Sequence, residues 1–486
     1  MRHLKTIPLL CTLCFLVTTL SAQTIDAEGE KEAFLRELDQ YYNHYKSIAA
    51  DIWSWAELGY KEKRSSQRLQ ETLQRSGFTV DSGVAGIPTA FVATYGSGYP
   101  IIGILAEFDA LPGLSQQAVP EKAPDTSREN GHACGHHLFG VASVAAGIQL
   151  KEMLQQQKIS GTIRVYGTPA EEGGSGKVYM VREGLFDDVD VVLHWHPSSV
   201  NTANPSSSLA NISAKFRFHG ISAHAAGFPQ RGRSALDGVE AMNYMVNMMR
   251  EHIPPESRIH YVITHGGKAP NVVPDFAEVY YYARHPDPAE TKRIFNRIIK
   301  AAEGAALGTE TTMDYEIIGG VYNLLPVVSL AKLMHQNLNA VGGVNYTAEE
   351  IAFGEKIQAT FGNVVSPPID DASYIQPFVN ESFRKGGGST DVGDVSWTVP
   401  TVGLRVATWI PGTPSHSWQA VACGGTDIGY KGMMVAAKTL TATGYDLFHN
   451  AQLIEEAKAE WEFARGNDFK YEALIGDRPP ALDYRE

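Results

Sequence analysis

With 486 residues, 43% of them hydrophobic, the chain is long enough for two or three domains and a sizeable core. Its net charge of −13, with no Lys/Arg cluster, argues against nucleic acid and anionic membranes as partners. It leaves a small-molecule substrate open, because a local site can oppose the global sign.

The first residues, 1–22, read as an export signal. Arg2 and Lys5 form a basic start, residues 7–20 are a short apolar run, and Ser21-Ala22 offers small residues for cleavage. The run is shorter than a comfortable membrane span. The expectation is an exported chain, periplasmic or secreted, free of the membrane once the signal is cut. Without Arg2 and Lys5 its charge would be about −15. Cys11 and Cys14 leave with the signal, so Cys134 and Cys423 are the thiols that remain. An oxidising compartment pairs exposed thiols or dispenses with them. Cys134 then reads as a metal ligand, a small buried hydrophobe, or half of a disulfide with Cys423. The flanking histidines favour the first.

Residues 33–75 carry a helical pattern with a break near Gly59. Residues 91–95 and 101–105 read as strands, the second apolar enough for the centre of a sheet. A Pro-rich loop over 112–131 precedes Cys134, and residues 137–154 form an apolar helix. Two more strands, 162–166 and 189–193, run into Glu171-Glu172 and into His194-Trp195-His196-Pro197. Three strands thus end at candidate chemistry, and ligand sites in α/β sheets gather at the carboxyl ends of strands.

The pattern changes near Ser206. Ile212, Ala214, Phe216 and Phe218 alternate with Ser213, Lys215, Arg217 and His219, as in a half-exposed strand. A helix over 234–252, strands over 261–264 and 278–283, and a helix over 289–307 follow. Two helices on one face of an antiparallel sheet make an inserted domain of roughly a hundred residues. After Asn323 the chain returns to the first domain, adding helices, the Gly386-Gly387-Gly388 loop, a strand near 402–408, and His416. The tail after Asn467 is polar and expected to be loose.

Two stretches carry most of the chemistry: His132-Ala133-Cys134-Gly135-His136-His137 and Glu171-Glu172-Gly173-Gly174. Cys, His and Glu are ligands that zinc takes, and a spare Glu beside the metal is the usual general base. A two-metal hydrolase needs ligands from separated segments and an open position for substrate. Cys134, His136, Glu172, one of His194 and His196, and His416 supply the number. Glu171 is then free to take a proton from water and pass it to the leaving amine. Asp109, just past a central strand, is positioned to orient a ligand histidine through its other ring nitrogen. His194 and His196 face the same side of a strand, so the pattern does not choose between them. Thiolate and imidazole suit zinc, while the carboxylates leave manganese as the alternative.

These residues resemble the di-zinc metallopeptidase family of aminoacylases, indole-acetyl-amino-acid hydrolases and dipeptidases. The resemblance begins with His132-Ala133-Cys134-Gly135-His136 and Glu171-Glu172-Gly173. It tightens to one branch, that of the B-type aminobenzoyl-glutamate hydrolase subunits. The stretches that do this are Ala106-Glu107-Phe108-Asp109-Ala110-Leu111, Gly174-Ser175-Gly176-Lys177, Met180-Val181-Arg182-Glu183-Gly184 and Ala223-His224-Ala225-Ala226. Pro270-Asn271-Val272-Val273, the run from Ser389 to Trp397, and His416-Ser417-Trp418-Gln419 complete them, across nearly all of the mature chain. Two departures from the wider family stand out: His137 where relatives carry an acidic residue, and Glu107 where many carry Asp.

The resemblance implies an α/β fold with a central mixed sheet flanked by helices. That catalytic domain would run over 23–205 and 321–450, with a C-terminal helix and tail over 451–486. It also implies an inserted α+β sandwich over 206–320 that serves dimerisation. Two divalent metals would be held by Cys134, His136, Glu172, His416 and a histidine. The wider family's pattern points to His194 and the branch's to His196, which we favour. Glu171 would be the base, and His224 would stabilise the oxyanion, often across a dimer interface. Asn271 would bind substrate. Independently of the resemblance, a substrate carboxylate needs a cation or a nest of amides, for which the sequence offers Arg284 or the glycine-rich loop with Ser389 and Thr390. The expected activity is cleavage of an N-acyl or aminoacyl amide beside a free carboxylate: aminobenzoyl-glutamate, an acyl-amino acid or a dipeptide. The expected assembly is a homodimer, with a heteromer of related subunits as the alternative. The rival function is a non-catalytic or partner-dependent subunit.

Overall fold

The computed structural model describes residues 29–382 and 387–485; the export segment, Cys11, Cys14 and Gly386 lie outside the described residues. The helical stretch expected over 33–75 is interrupted around Gly59, where the pattern breaks. It includes Tyr42–Trp55 and Lys63–Arg75, the first ending where Ala56 turns left-handed (φ 43°).

Among the described residues ten strands follow in chain order: β1 (Thr79–Ser82), β2 (Phe91–Ser97), β3 (Ile101–Ala106), β4 (Gly161–Gly167), β5 (Val191–Ser198), β6 (Ala210–His219), β7 (Arg258–His265), β8 (Phe276–His285), β9 (Thr312–Val321) and β10 (Thr401–Ala407). Six form a mixed sheet in the order β1-β2-β4-β3-β5-β10, and β6 to β9 form a separate sheet in the order β7-β8-β6-β9. β3 is buried at every position, as its apolar run requires of a strand covered on both faces. It pairs in parallel with β4 and β5, while β1 and β2 form an antiparallel edge. The helices His136–Gln157 and Asp427–His449 pack against each other and contact these strands. Trp195, Phe91, Phe108 and Phe139 are fully buried in that core. Each such ring contributes on the order of 1.5–3 kcal/mol by leaving water.

β5 runs to Ser198, past the expected end at 193, because it stays paired in parallel with β10. His194 and His196 therefore lie within the strand, opposite Gly403 and Arg405. The inserted domain is an antiparallel sheet with two helices, Ala235–Met249 and Pro288–Gly308. Its fourth strand, β9, was not anticipated from the sequence; β6 pairs with it along its length. Phe216, Phe218, Val239, Met242, Ile294 and Phe295 form a second core, separate from the first.

One alternative falls away and one expectation is corrected. Cys134 and Cys423 are both free and buried, so no disulfide joins them. The tail after Asn467 is docked, not loose: Leu474 is buried in the second core and Ile475 in the first. These two side chains, with Phe469 and Tyr471 packed beside them, give a segment rich in charged residues something to bury. Among the described residues, no helix is long and apolar enough to cross a membrane.

Candidate metal centre and active site

Gly135 separates Cys134 from His136 in the left-handed region (φ 76°), immediately before the helix His136–Gln157. A Cβ there would stand 2.7 Å from the Pro197 side chain, so only glycine lets this turn sit against β5. That contact brings Cys134 Sγ to 3.4 Å from His196 Nε2, whose ring Nδ1 bonds the Pro197 carbonyl at 2.7 Å. His136 is fully buried, with Nδ1 2.8 Å from Asp109 Oδ1 and Nε2 3.1 Å from Glu107 Oε2. Asp109 turns its second oxygen to the Glu172 amide, 2.9 Å away. His416, itself left-handed (φ 57°), donates its amide to the Ala133 carbonyl at 3.0 Å and sets Nε2 3.1 Å from Glu172 Oε1.

Ligand atoms of Cys134, His136 and His196 fall within 4.8 Å of one another, as do those of Cys134, Glu172 and His416. Glu107, His136 and Glu171 form a third such group. Cys134 belongs to two groups and His136 to two, so the groups are contiguous. Several atoms here are buried yet complete no hydrogen bond: Glu107 Oε2, His136 Nε2 and Glu172 Oε1. Buried lone pairs without donors are costly. Here two carboxylate oxygens and a ring nitrogen crowd together without well-formed hydrogen bonds, beside a thiol and imidazoles, and fit a cation-binding cage whose donor set suits zinc.

The electrostatics follow from burial. Desolvation, with the Glu107 and Glu172 charges nearby, holds the Glu171 carboxyl well above the usual range. Burial works against a charged His136, but Cys134, Glu107 and Asp109 together raise its pKa. Desolvation leads in lowering His194, to about 3, with the Lys177 and Arg405 charges adding.

Sequence reasoning gave no role to several buried polar residues that shape the site. Lys177 is fully buried between Glu107 Oε1 at 2.7 Å and Asp391 Oδ1 at 2.8 Å. Glu62 accepts from the Ala170 amide at 2.8 Å, fixing the left-handed residue (φ 57°) before Glu171. The only advance signal for Lys177 and Asp391 was their place inside motifs.

The expected substrate residues divide. Ser389 and Thr390 line a cavity of about 900 Å³, along with Glu107, His194, His196 and Arg405. His194 joins none of the three groups; its Nε2 lies over Gly403, against the cavity wall. His224, Asn271 and Arg284 neither line this cavity nor join the groups. They sit on the inserted domain's own elements. His224 is used locally, its Nδ1 accepting from the Ala226 and Gly227 amides at 3.2 and 3.1 Å. Arg284 stacks over Tyr282 at 5.3 Å. Within one chain, then, the expected oxyanion donor is not at the cluster.

The chain is 42% identical to the B-type component of p-aminobenzoyl-glutamate hydrolase of Escherichia coli (strain K12), over 86% of this chain and 91% of that protein. The chain belongs to the M20 peptidase family. This M20 chain is accordingly a hydrolase of the metallopeptidase class, with the mixed-sheet fold and inserted domain of that family. Residues 210–310 match the peptidase dimerisation domain model. The Xaa-Arg dipeptidase of Mus musculus is 28% identical, over 91% of this chain and 94% of its own length. Among solved structures, a Bacillus subtilis protein described as a dinuclear metal binding peptidase from the M20 family aligns with a TM-score of 0.57 at 14% identity. The alignment covers 85% of this chain and 99% of that one.

Proposed function

We propose that this chain hydrolyses the amide bond of an N-acyl or aminoacyl amino acid, using two divalent metals and Glu171 as proton carrier. Cys134, His136 and His196 would hold one ion, and Cys134, Glu172 and His416 the other, with Cys134 common to both. The single observation that carries this reading is that one thiol belongs to two ligand groups, each within 4.8 Å. When bound, such ions supply Lewis-acid polarisation of the scissile carbonyl and make an attacking water more acidic. Glu171 takes the proton of that water and returns it to the leaving amine, its carboxylate lying within 4.8 Å of the His136 ligand atom. Asp109 holds the His136 ring by its far nitrogen. The cavity beside His196 receives the substrate, with Ser389 and Thr390 on its wall.

The relatives' names direct the substrate: p-aminobenzoyl-glutamate for one, an Xaa-Arg dipeptide for another. Zinc is favoured by the thiol and imidazoles, with manganese as the alternative. His224 lies outside its own chain's cluster, and this supports a dimer in which a second protomer, identical or related, completes the site. The segment 1–22 supports export to the periplasm or beyond.

The test is metal content of the purified protein alongside hydrolysis of aminobenzoyl-glutamate and a dipeptide panel. About two ions per chain and metal-dependent turnover are expected. Glu171→Gln should lower kcat by at least about 100-fold while leaving both ions bound. No metal uptake after reconstitution with zinc or manganese would overturn the ligand assignment.

A further inference from the structure

The C-terminal segment crosses from one domain to the other and reaches the candidate active site. Tyr471 donates to Asp394 Oδ1 at 2.7 Å, and Tyr322 donates to the Glu472 carbonyl at 3.0 Å. Arg182 then takes the carbonyls of Gly476 and Arg478, at 3.0 and 2.8 Å. Arg478 reaches the other way, to the Ile318 carbonyl on β9 at 3.1 Å. The chain continues to Tyr484, whose hydroxyl donates to the Glu172 carbonyl at 3.0 Å, and to Arg485, whose Nη2 donates to the same oxygen at 2.5 Å.

The surroundings are built to accept this end. The Tyr484 ring meets Tyr60 edge-on, with centroids 5.5 Å apart, and Tyr60 donates to the Gly174 carbonyl at 2.6 Å. Gly59 leaves the space for Tyr484: a Cβ there would come within 2.2 Å of its hydroxyl. Glu172 is thus gripped at both of its peptide groups. Asp109 takes its N–H, and the tail takes its carbonyl. The turn needs such holding, because Ala170 sits in the left-handed region without being glycine (φ 57°). Strained backbone of this kind persists only where its surroundings over-determine it.

We propose that Tyr484 and Arg485 are positioning residues for the Glu171–Glu172 turn, completing the hydrolytic site from the C-terminal segment. The proposal rests on the reading of Glu171 as proton carrier and Glu172 as ligand. Neither tail residue touches the reacting atoms. Both act through the Glu172 carbonyl, while Asp109 holds the N–H of the same residue.

The test uses the full chain with Tyr484→Phe, Arg485→Gln, the double variant, and Arg485→Lys. Steady-state kinetics, Tm and zinc titration by calorimetry are measured on each. The double variant should lose about 10–100-fold in kcat and in affinity for one of the two ions, with KM changed far less. Arg485→Lys should recover most of the loss, since an ammonium still donates to the carbonyl. Tyr484→Phe, which keeps the ring against Tyr60, separates the lost hydrogen bond from lost packing. Wild-type kcat and zinc affinity in the double variant would overturn the proposal. So would a loss that tracks a fall in Tm across all variants. Should the wild-type chain cleave no amide, the functional reading fails, but zinc affinity still decides: an unchanged value in the double variant overturns the positioning role.

Discussion

Asp109 joins two candidate ligands through one carboxylate: Oδ1 lies 2.8 Å from His136 Nδ1, and Oδ2 accepts the Glu172 amide at 2.9 Å. A single side chain therefore sets both a ring orientation and a loop position. Nearby positive character and these hydrogen bonds hold its pKa low despite complete burial, which acts in the opposite direction. Asp109→Asn keeps the shape but removes the charge and one acceptor. The expected result is a 10–100-fold loss in metal affinity or kcat, read by zinc titration and steady-state kinetics.

His196, and not His194, lies within reach of Cys134. His196→Ala should lower the bound metal from about two ions per chain towards one. His194→Ala should leave both ions and instead change KM, because its ring faces the cavity. Metal analysis of the two variants checks this directly, and the reverse pattern would exchange the assignments.

Lys177 is the buried cation between Glu107 and Asp391. Lys177→Met would strand two carboxylates without a counter-charge. Breaking a buried ion pair from one side costs about 3–5 kcal/mol. A fall in unfolding free energy of that order is expected in denaturant titrations, together with weakened metal binding through Glu107's neighbour His136.

Gly135→Ala tests the turn that brings Cys134 to β5. The added methyl meets Pro197, and the positive φ disfavours any Cβ. The expected outcome is a sharp loss of metal content with a smaller loss of Tm, because the strain is local to the ligand turn.

Asp394 supplies a pH signature away from the candidate ligands. Burial pushes its carboxyl up to about 7, against the hydrogen bonds from Tyr471 and Tyr322, from a reference value of 3.8. The folded chain therefore holds a proton that the unfolded chain has released between those two values. Stability from this group falls as pH rises through that window and is level above about 7. Asp394→Asn can still accept from the Tyr322 amide and can donate to Tyr471. Its Tm relative to wild type should rise from pH 4 to 7 and then stay constant. A Tm difference independent of pH would refute the shift.

Much of this protein is legible before folding. The alternation in β6 reports a half-covered strand, and the unbroken apolar run of β3 reports a central one, because side-chain period follows backbone geometry. The donors Cys134, His136, Glu171, Glu172 and His416 announce themselves by residue type, since few side chains bind zinc or carry protons near neutrality. The tertiary structure decides what periodicity cannot. His194 and His196 share a strand face, and only the packing of Gly135 on Pro197 brings Cys134 to the second. The placing of Lys177 between Glu107 and Asp391 depends on segments 70 and 214 residues away meeting in space. The tail reads as loose because its composition is polar. It docks because its few apolar residues find two cores, and its last side chains find the carbonyl of Glu172. Local sequence specifies what each segment can offer, and long-range contact determines which offers meet.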